Sequence, residues 1–113
     1  MRLRTDFWVS AYIRRCSVEG VHAVLRRRGA AEAGAVFVKI DALDGTCALY
    51  GPAPQSLTGD QPEERFFLRV PLNDPSPLAA EEKLRREIAF DSDVWIVEVE
   101  DRQGRHFLTL ARE

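Results

Sequence analysis

Cysteine, histidine and methionine are scarce: the 113 residues contain two, two and one of them. Cys16 and Cys47 are too far apart in the sequence for either a disulfide framework or a zinc site to demand their spacing, so reduced, buried thiols are expected. His22 and His106 form no short pair with each other or with either thiol, and zinc needs four suitably placed ligands; no metal is expected and no cofactor is implied. No apolar run approaches the roughly 18 residues of a membrane span. The start, Met-Arg-Leu-Arg-Thr-Asp-Phe-Trp, lacks the apolar stretch and small-residue cleavage site of a secretory leader, so the cytoplasm is the expected compartment. A glycine-rich phosphate loop, a nucleophile motif and internal repeats are also absent.

What is present suits a folded domain. With 45% hydrophobic and 30% charged residues, the chain is too apolar for disorder and too charged for a membrane, and its length fits a single domain over residues 1–113. Trp8, Val9, Tyr12, Ile13 and Cys16 form one stripe at helical spacing between Thr5, read as N-cap, and Gly20, read as a left-handed stop. Val21–Arg26 reads as a strand. So does Ala35–Ile40, with Val36, Val38 and Ile40 on one face and Phe37 and Lys39 on the other. Asp44-Gly45 tolerates the positive φ angles of a type I′ hairpin turn into Thr46–Tyr50.

Three prolines and two glycines between Gly51 and Pro62 make that stretch a surface loop. Arg65–Val70 reads as a strand, and Ser76 as N-cap with Pro77 at the first helical position opens a second helix through Phe90. Val94–Val99, apolar at nearly every position, is placed centrally in the sheet, and His106–Leu110 returns as its hairpin partner. The expected fold is α+β, in the order α-β-β-β-β-α-β-β: a mainly antiparallel sheet of about five to six strands with two helices on one face.

Charge is distributed unevenly. The first 28 residues hold seven arginines (Arg2, Arg4, Arg14, Arg15, Arg26, Arg27, Arg28) against Asp6 and Glu19, a local charge of +5 that leaves −7 for the remainder. Guanidinium groups form bidentate bonds with carboxylate and phosphate, so Arg14, Arg15, Arg26 and Arg28 are the candidate anion- or partner-binding residues. The bland alternative pairs the arginine run with Glu81, Glu82 or Glu87 at a solvated strand end. A net charge of −2 and a pI near 5.7 argue against nucleic acid, and Trp8 and Tyr12 read as core residues before they read as base-stacking platforms.

Catalytic candidates are scattered. His22 and His106 are lone histidines with no acidic orienter nearby in sequence, and no catalytic residue is assigned. Asp91, Asp93, Glu98, Glu100 and Asp101 gather around the last predicted hairpin without the alternating oxygens and turn glycine of a calcium loop.

Several segments together resemble one family: Asp6–Arg15, Gly34–Lys39, Leu43-Asp44-Gly45-Thr46, Leu49–Ala53 and Asp93–Arg102 look like the signature stretches of the alphaproteobacterial domain-of-unknown-function family 1491. The resemblance implies a stand-alone cytoplasmic protein and supplies no catalytic residue.

The leading expectation is therefore a non-enzymatic binding or assembly module whose basic edge meets an acidic protein surface or a phosphate-bearing ligand. The rivals are a small enzyme with a histidine base and an arginine-bound anion, and a homo-oligomer assembled through a sheet edge or an outward-facing Phe37.

Overall fold

The computed structural model describes residues 3–54, 57 and 64–112. Most of the loop expected at 51–62 lies outside the described residues, as does Arg2. The elements run α1 (Thr5–Val18), β1 (His22–Arg27), β2 (Val36–Asp41), β3 (Cys47–Pro52), β4 (Phe67–Arg69), α2 (Pro77–Phe90) and β5 (Trp95–Glu100). The strands form one sheet in the order β1-β5-β2-β3-β4, antiparallel except where β5 lies parallel to β2. The fold is α+β with a mostly antiparallel, open sheet, as expected.

The helices occupy opposite faces of that sheet, which corrects the placement of both on one side. Val9, Tyr12 and Cys16 of α1 pack with Val36, Val38, Ile40, Trp95, Val97 and Val99, whereas Leu84 of α2 packs with Phe37, Leu49, Val94 and Ile96. Strand alternation explains it: β2 and β5 carry apolar residues on both faces, and each face needs a cover. Phe37 is accordingly buried beneath α2 and is not an outward-facing contact.

The expected last strand does not form. β5 already has β1 on one side and β2 on the other, so no edge is left for a hairpin partner. Asp101 instead accepts from the Arg105 amide and guanidinium, Gly104 takes φ +68° and Phe107 φ +55°, and the chain turns away from β5. It then runs as an extended strap beside β4, where the Phe67 amide donates to Thr109 O and the Ala111 amide to Phe67 O.

Local signals fare better. Ser76 Oγ accepts from the Ala79 amide (3.1 Å) and Pro77 opens α2, and Gly20 ends α1 at φ +76°. Thr5 is not the N-cap. It is the first helical residue and fully buried, its Oγ1 donating to Gly34 O (3.0 Å), while Arg4 takes the cap position. The β2–β3 hairpin forms, but through a five-residue connection closed by Ala42 N–H to Thr46 O, with positive φ at Leu43 and Gly45. The segment between β1 and β2 is clamped onto β5: Trp95 Nε1 donates to Ala30 O (2.7 Å), and a Cβ at Gly29 or Gly34 would collide with Asp93 O and the Trp95 ring.

Candidate functional site

The four arginines singled out by the sequence do not form one surface. Arg26 lies on the α2 face, where its guanidinium donates to both Glu81 oxygens (2.7 and 2.9 Å) and to Glu98 Oε1 (3.1 Å). Lys39, also on that face and buried, donates to Glu81 Oε2 (2.6 Å). Two cations and two carboxylates thus neutralise one another between β1, β2, β5 and α2, which is the bland alternative realised at Glu81. The bond from Arg26, together with the Lys39 ammonium, draws the Glu81 carboxyl down to about 2.

Arg27 spends its guanidinium on the carbonyls of Ser92 and Val94. Arg28 stacks over the Trp95 ring, 5.0 Å from its centroid, and acts on Asp6 in the first turn of α1. Arg14 and Arg15 are exposed near the other end of α1, about 13 Å of helix rise away from Asp6.

Arg15 belongs to a second arrangement, which the chain order hides. Trp8 and Tyr12, one turn apart on α1, stack with ring centroids 5.1 Å apart and planes 6° from parallel. With Ala11 they line a groove of about 220 Å³ whose opposite wall is the strap residues Phe107, Leu108 and Thr109. Arg15 lies over the Phe107 ring at 5.3 Å from its centroid, and Arg65, just before β4, lies over Trp8 at 5.6 Å. Arg65 also donates to Leu3 O and Thr5 Oγ1, which fixes it beside the start of α1. No acidic side chain lines this groove among the described residues.

The strap wall is held from beneath. Tyr12 Oη donates to His106 O (2.7 Å), the Leu108 amide donates to His106 Nδ1 (2.9 Å), and the imidazole packs on Tyr50 at 4.8 Å between centroids. Burial pushes the His106 imidazole below its ordinary value and pushes the Tyr12 hydroxyl and Cys16 thiol up. His22 lies on edge strand β1, away from His106, and neither histidine bonds a carboxylate among the described residues. The acids of the predicted cluster diverge: Glu98 serves Arg26, Asp101 serves Arg105, and no metal-binding group of three appears among the described residues.

Arg65 and Phe107 were missed by sequence reasoning. Each joins the groove through tertiary contacts with α1 from distant segments, and no local pattern announces that.

The model for the family described as "Protein of unknown function (DUF1491)" matches residues 3–109. This chain belongs to the DUF1491 family. A crystal structure of a DUF1491 protein from Caulobacter crescentus CB15 is 39% identical, with 100% of this chain and 99% of that one covered at a TM-score of 0.81. A solution structure of a protein from A. tumefaciens is 40% identical over 100% and 98% of the two chains, with a TM-score of 0.83. An NMR structure of a Caulobacter DUF1491 protein is 42% identical over 100% and 98%, with a TM-score of 0.80. Among curated proteins none matches. The DUF1491 assignment agrees with the segments named above.

Proposed function

We propose that this protein is a cytoplasmic, non-enzymatic binding module that holds an anionic partner in the groove between α1 and the C-terminal strap. One observation carries the reading: the Arg15 guanidinium sits on the face of Phe107 at a groove with no acidic lining among the described residues. An arginine seated on a ring has lost much of its rotamer freedom before a ligand arrives, so less entropy is lost on binding. Exposed Arg14 adds to the positive field at this end of α1. Arg26 and Arg28, occupied by Glu81, Glu98 and Trp95, serve the fold.

The reading is favoured over a histidine general base because His22 and His106 stand on separate surfaces. It is favoured over assembly through β1 because that edge carries a bulge between Leu25 and Arg27 and a run of arginines, features that discourage strand addition.

The test is a nuclear magnetic resonance titration with sodium pyrophosphate and, separately, poly-glutamate, following the Trp8 indole N–H. Movement of that signal by either anion, abolished in Arg15→Ala and retained in Arg85→Ala on the opposite face, is expected. A signal unmoved by both anions ends the reading.

A further inference from the structure

At the hairpin end of β2, β3 and β4 lies a cavity of about 360 Å³, within the roughly 300–1,000 Å³ of small-molecule sites. It shares no lining residue with the groove between α1 and the strap. We propose that it binds a small organic monocarboxylate, the carboxylate held by Arg69 and the Tyr50 hydroxyl and the apolar body resting on Ile40 and Ala48.

Sheet register brings the two polar groups together. Tyr50 of β3 stands opposite Arg69 of β4, and because the next pair along is bonded through the Val70 amide to Leu49 O, Tyr50 and Arg69 form a non-hydrogen-bonded pair. The Cα atoms of such a pair are about 4.5 Å apart, and both side chains leave the same face of the sheet. Both line the cavity. Ile40 and Ala48, paired across β2 and β3, lie on that face as well and supply an apolar wall.

Neither polar group is spent on the fold. Tyr50 is 7% exposed, with its ring against the His106 imidazole, yet its hydroxyl makes no hydrogen bond among the described residues. Tyr12, in the same core cluster, donates its own to His106 O. A hydroxyl on a side chain buried to nine-tenths loses free energy unless something in the adjoining cavity bonds it. Arg69 is exposed and has no ion pair, hydrogen bond or ring contact among the described residues, in contrast to Arg26, Arg27 and Arg28. Asp74, in the neighbouring hollow that Arg69 also lines, accepts the Ser76 amide instead.

Charge and wall chemistry then select the ligand. Arg69 is the one charged residue lining the cavity among the described residues. Its fork matches a planar carboxylate and the phenol adds one neutral donor, so a single negative charge is balanced. A phosphate group, at about −1.5 to −2, would be left partly unmatched. Ile40, Ala42, Ala48 and Pro75 favour an apolar body behind the carboxylate over a sugar or a second charge.

Sodium isobutyrate, sodium benzoate, neutral benzamide and sodium phosphate are each titrated into the isotope-labelled protein while the Ala48 and Gly104 amide signals are followed. At least one carboxylate is expected to move both signals saturably, to bind about tenfold more weakly to Arg69→Gln and a few-fold more weakly to Tyr50→Phe, and to treat Arg85→Ala as wild type. No saturable movement with either carboxylate overturns the proposal. So does benzamide bound as well as benzoate, phosphate bound as tightly as the carboxylates, or a carboxylate affinity that Arg69→Gln leaves unchanged. Circular dichroism separates lost binding from lost fold, and Arg69→Gln, which alters an exposed side chain, still decides the matter if Tyr50→Phe loosens the core. The Trp8 indole reports on the α1 groove separately, so failure at one site does not decide the other.

Discussion

Glu81 is the residue on which the charges of the α2 face converge. It takes a bidentate bond from Arg26 and the ammonium of Lys39, whose own side chain is 6% exposed. The Arg26 hydrogen bonds are the largest cause of its fall from 4.5 to about 2. A carboxylate whose folded value lies below its unfolded one contributes stability that is complete above about pH 4.5 and is lost as pH falls toward about 2. With a third of the side chain in water, solvent screening reduces that contribution to roughly 1–2 kcal/mol. Glu81→Gln leaves Lys39 without its nearest carboxylate, so a loss of roughly 1–3 kcal/mol at pH 7 is expected from urea denaturation. Asp44, Asp74 and Asp101 are held low as well, so the slope of stability with pH is not specific to Glu81. The comparison is: between pH 5 and pH 3 the wild type loses more stability than Glu81→Gln, and parallel profiles would contradict the role given to this carboxylate.

Among the elements, the C-terminal strap depends most on a single protonation state. His106 Nδ1 accepts the Leu108 amide only when that nitrogen is unprotonated, and burial already holds the ring below its ordinary 6.5. The folded state therefore favours neutral His106, and the stability it lends is complete above about pH 6.5 and declines as pH falls through the lower folded value. Amide exchange of Leu108 and Ala111, corrected for intrinsic rates, is expected to quicken at pH 5 relative to pH 7.5, while Ile96 in the sheet centre changes little. Tyr12→Phe removes the bond to His106 O and should cost roughly 1 kcal/mol while loosening the same amides. Unchanged exchange at Leu108 would show that the imidazole does not hold the strap. The other elements were legible from local chemistry: the stripe from Trp8 to Cys16, the Asp44-Gly45 turn, and the Ser76-Pro77 start. The strap was not, because its apolar run looks like a strand while its partner is decided by which sheet edges remain open, and β5 has none. Alternation on β2 did carry the information that both faces are covered; the helix placement erred by treating Phe37 and Lys39 as a solvent face, where they meet Leu84 and Glu81 of α2.

At the scale of the whole molecule, the charge asymmetry in the sequence is divided by the sheet into two roles. Arg26, Arg27 and Arg28 are spent on Glu81, Glu98, main-chain carbonyls and Trp95, whereas Arg14 and Arg15 stay at the solvent-facing end of α1. The candidate site was half legible for that reason: residue type marked the arginines, but only tertiary structure sorts the neutralised from the available and brings Arg65 to Trp8. If the groove holds an anionic partner, the sorted arginines should act differently on rates. Arg14 is exposed and lies outside the groove lining, so its charge steers encounter; Arg15, seated on Phe107, contacts the bound partner. Raising ionic strength from 0.01 to 0.15 M shortens the screening length from about 30 Å to about 8 Å. Association of poly-glutamate, measured by stopped-flow tryptophan fluorescence, is expected to slow several-fold over that range while dissociation changes little. Arg14→Ala should slow association at low salt and leave dissociation near the wild-type rate, whereas Arg15→Ala should mainly speed dissociation. An association rate indifferent to salt and to Arg14 would mean that the positive end of α1 plays no part in recognition, however the groove itself is filled.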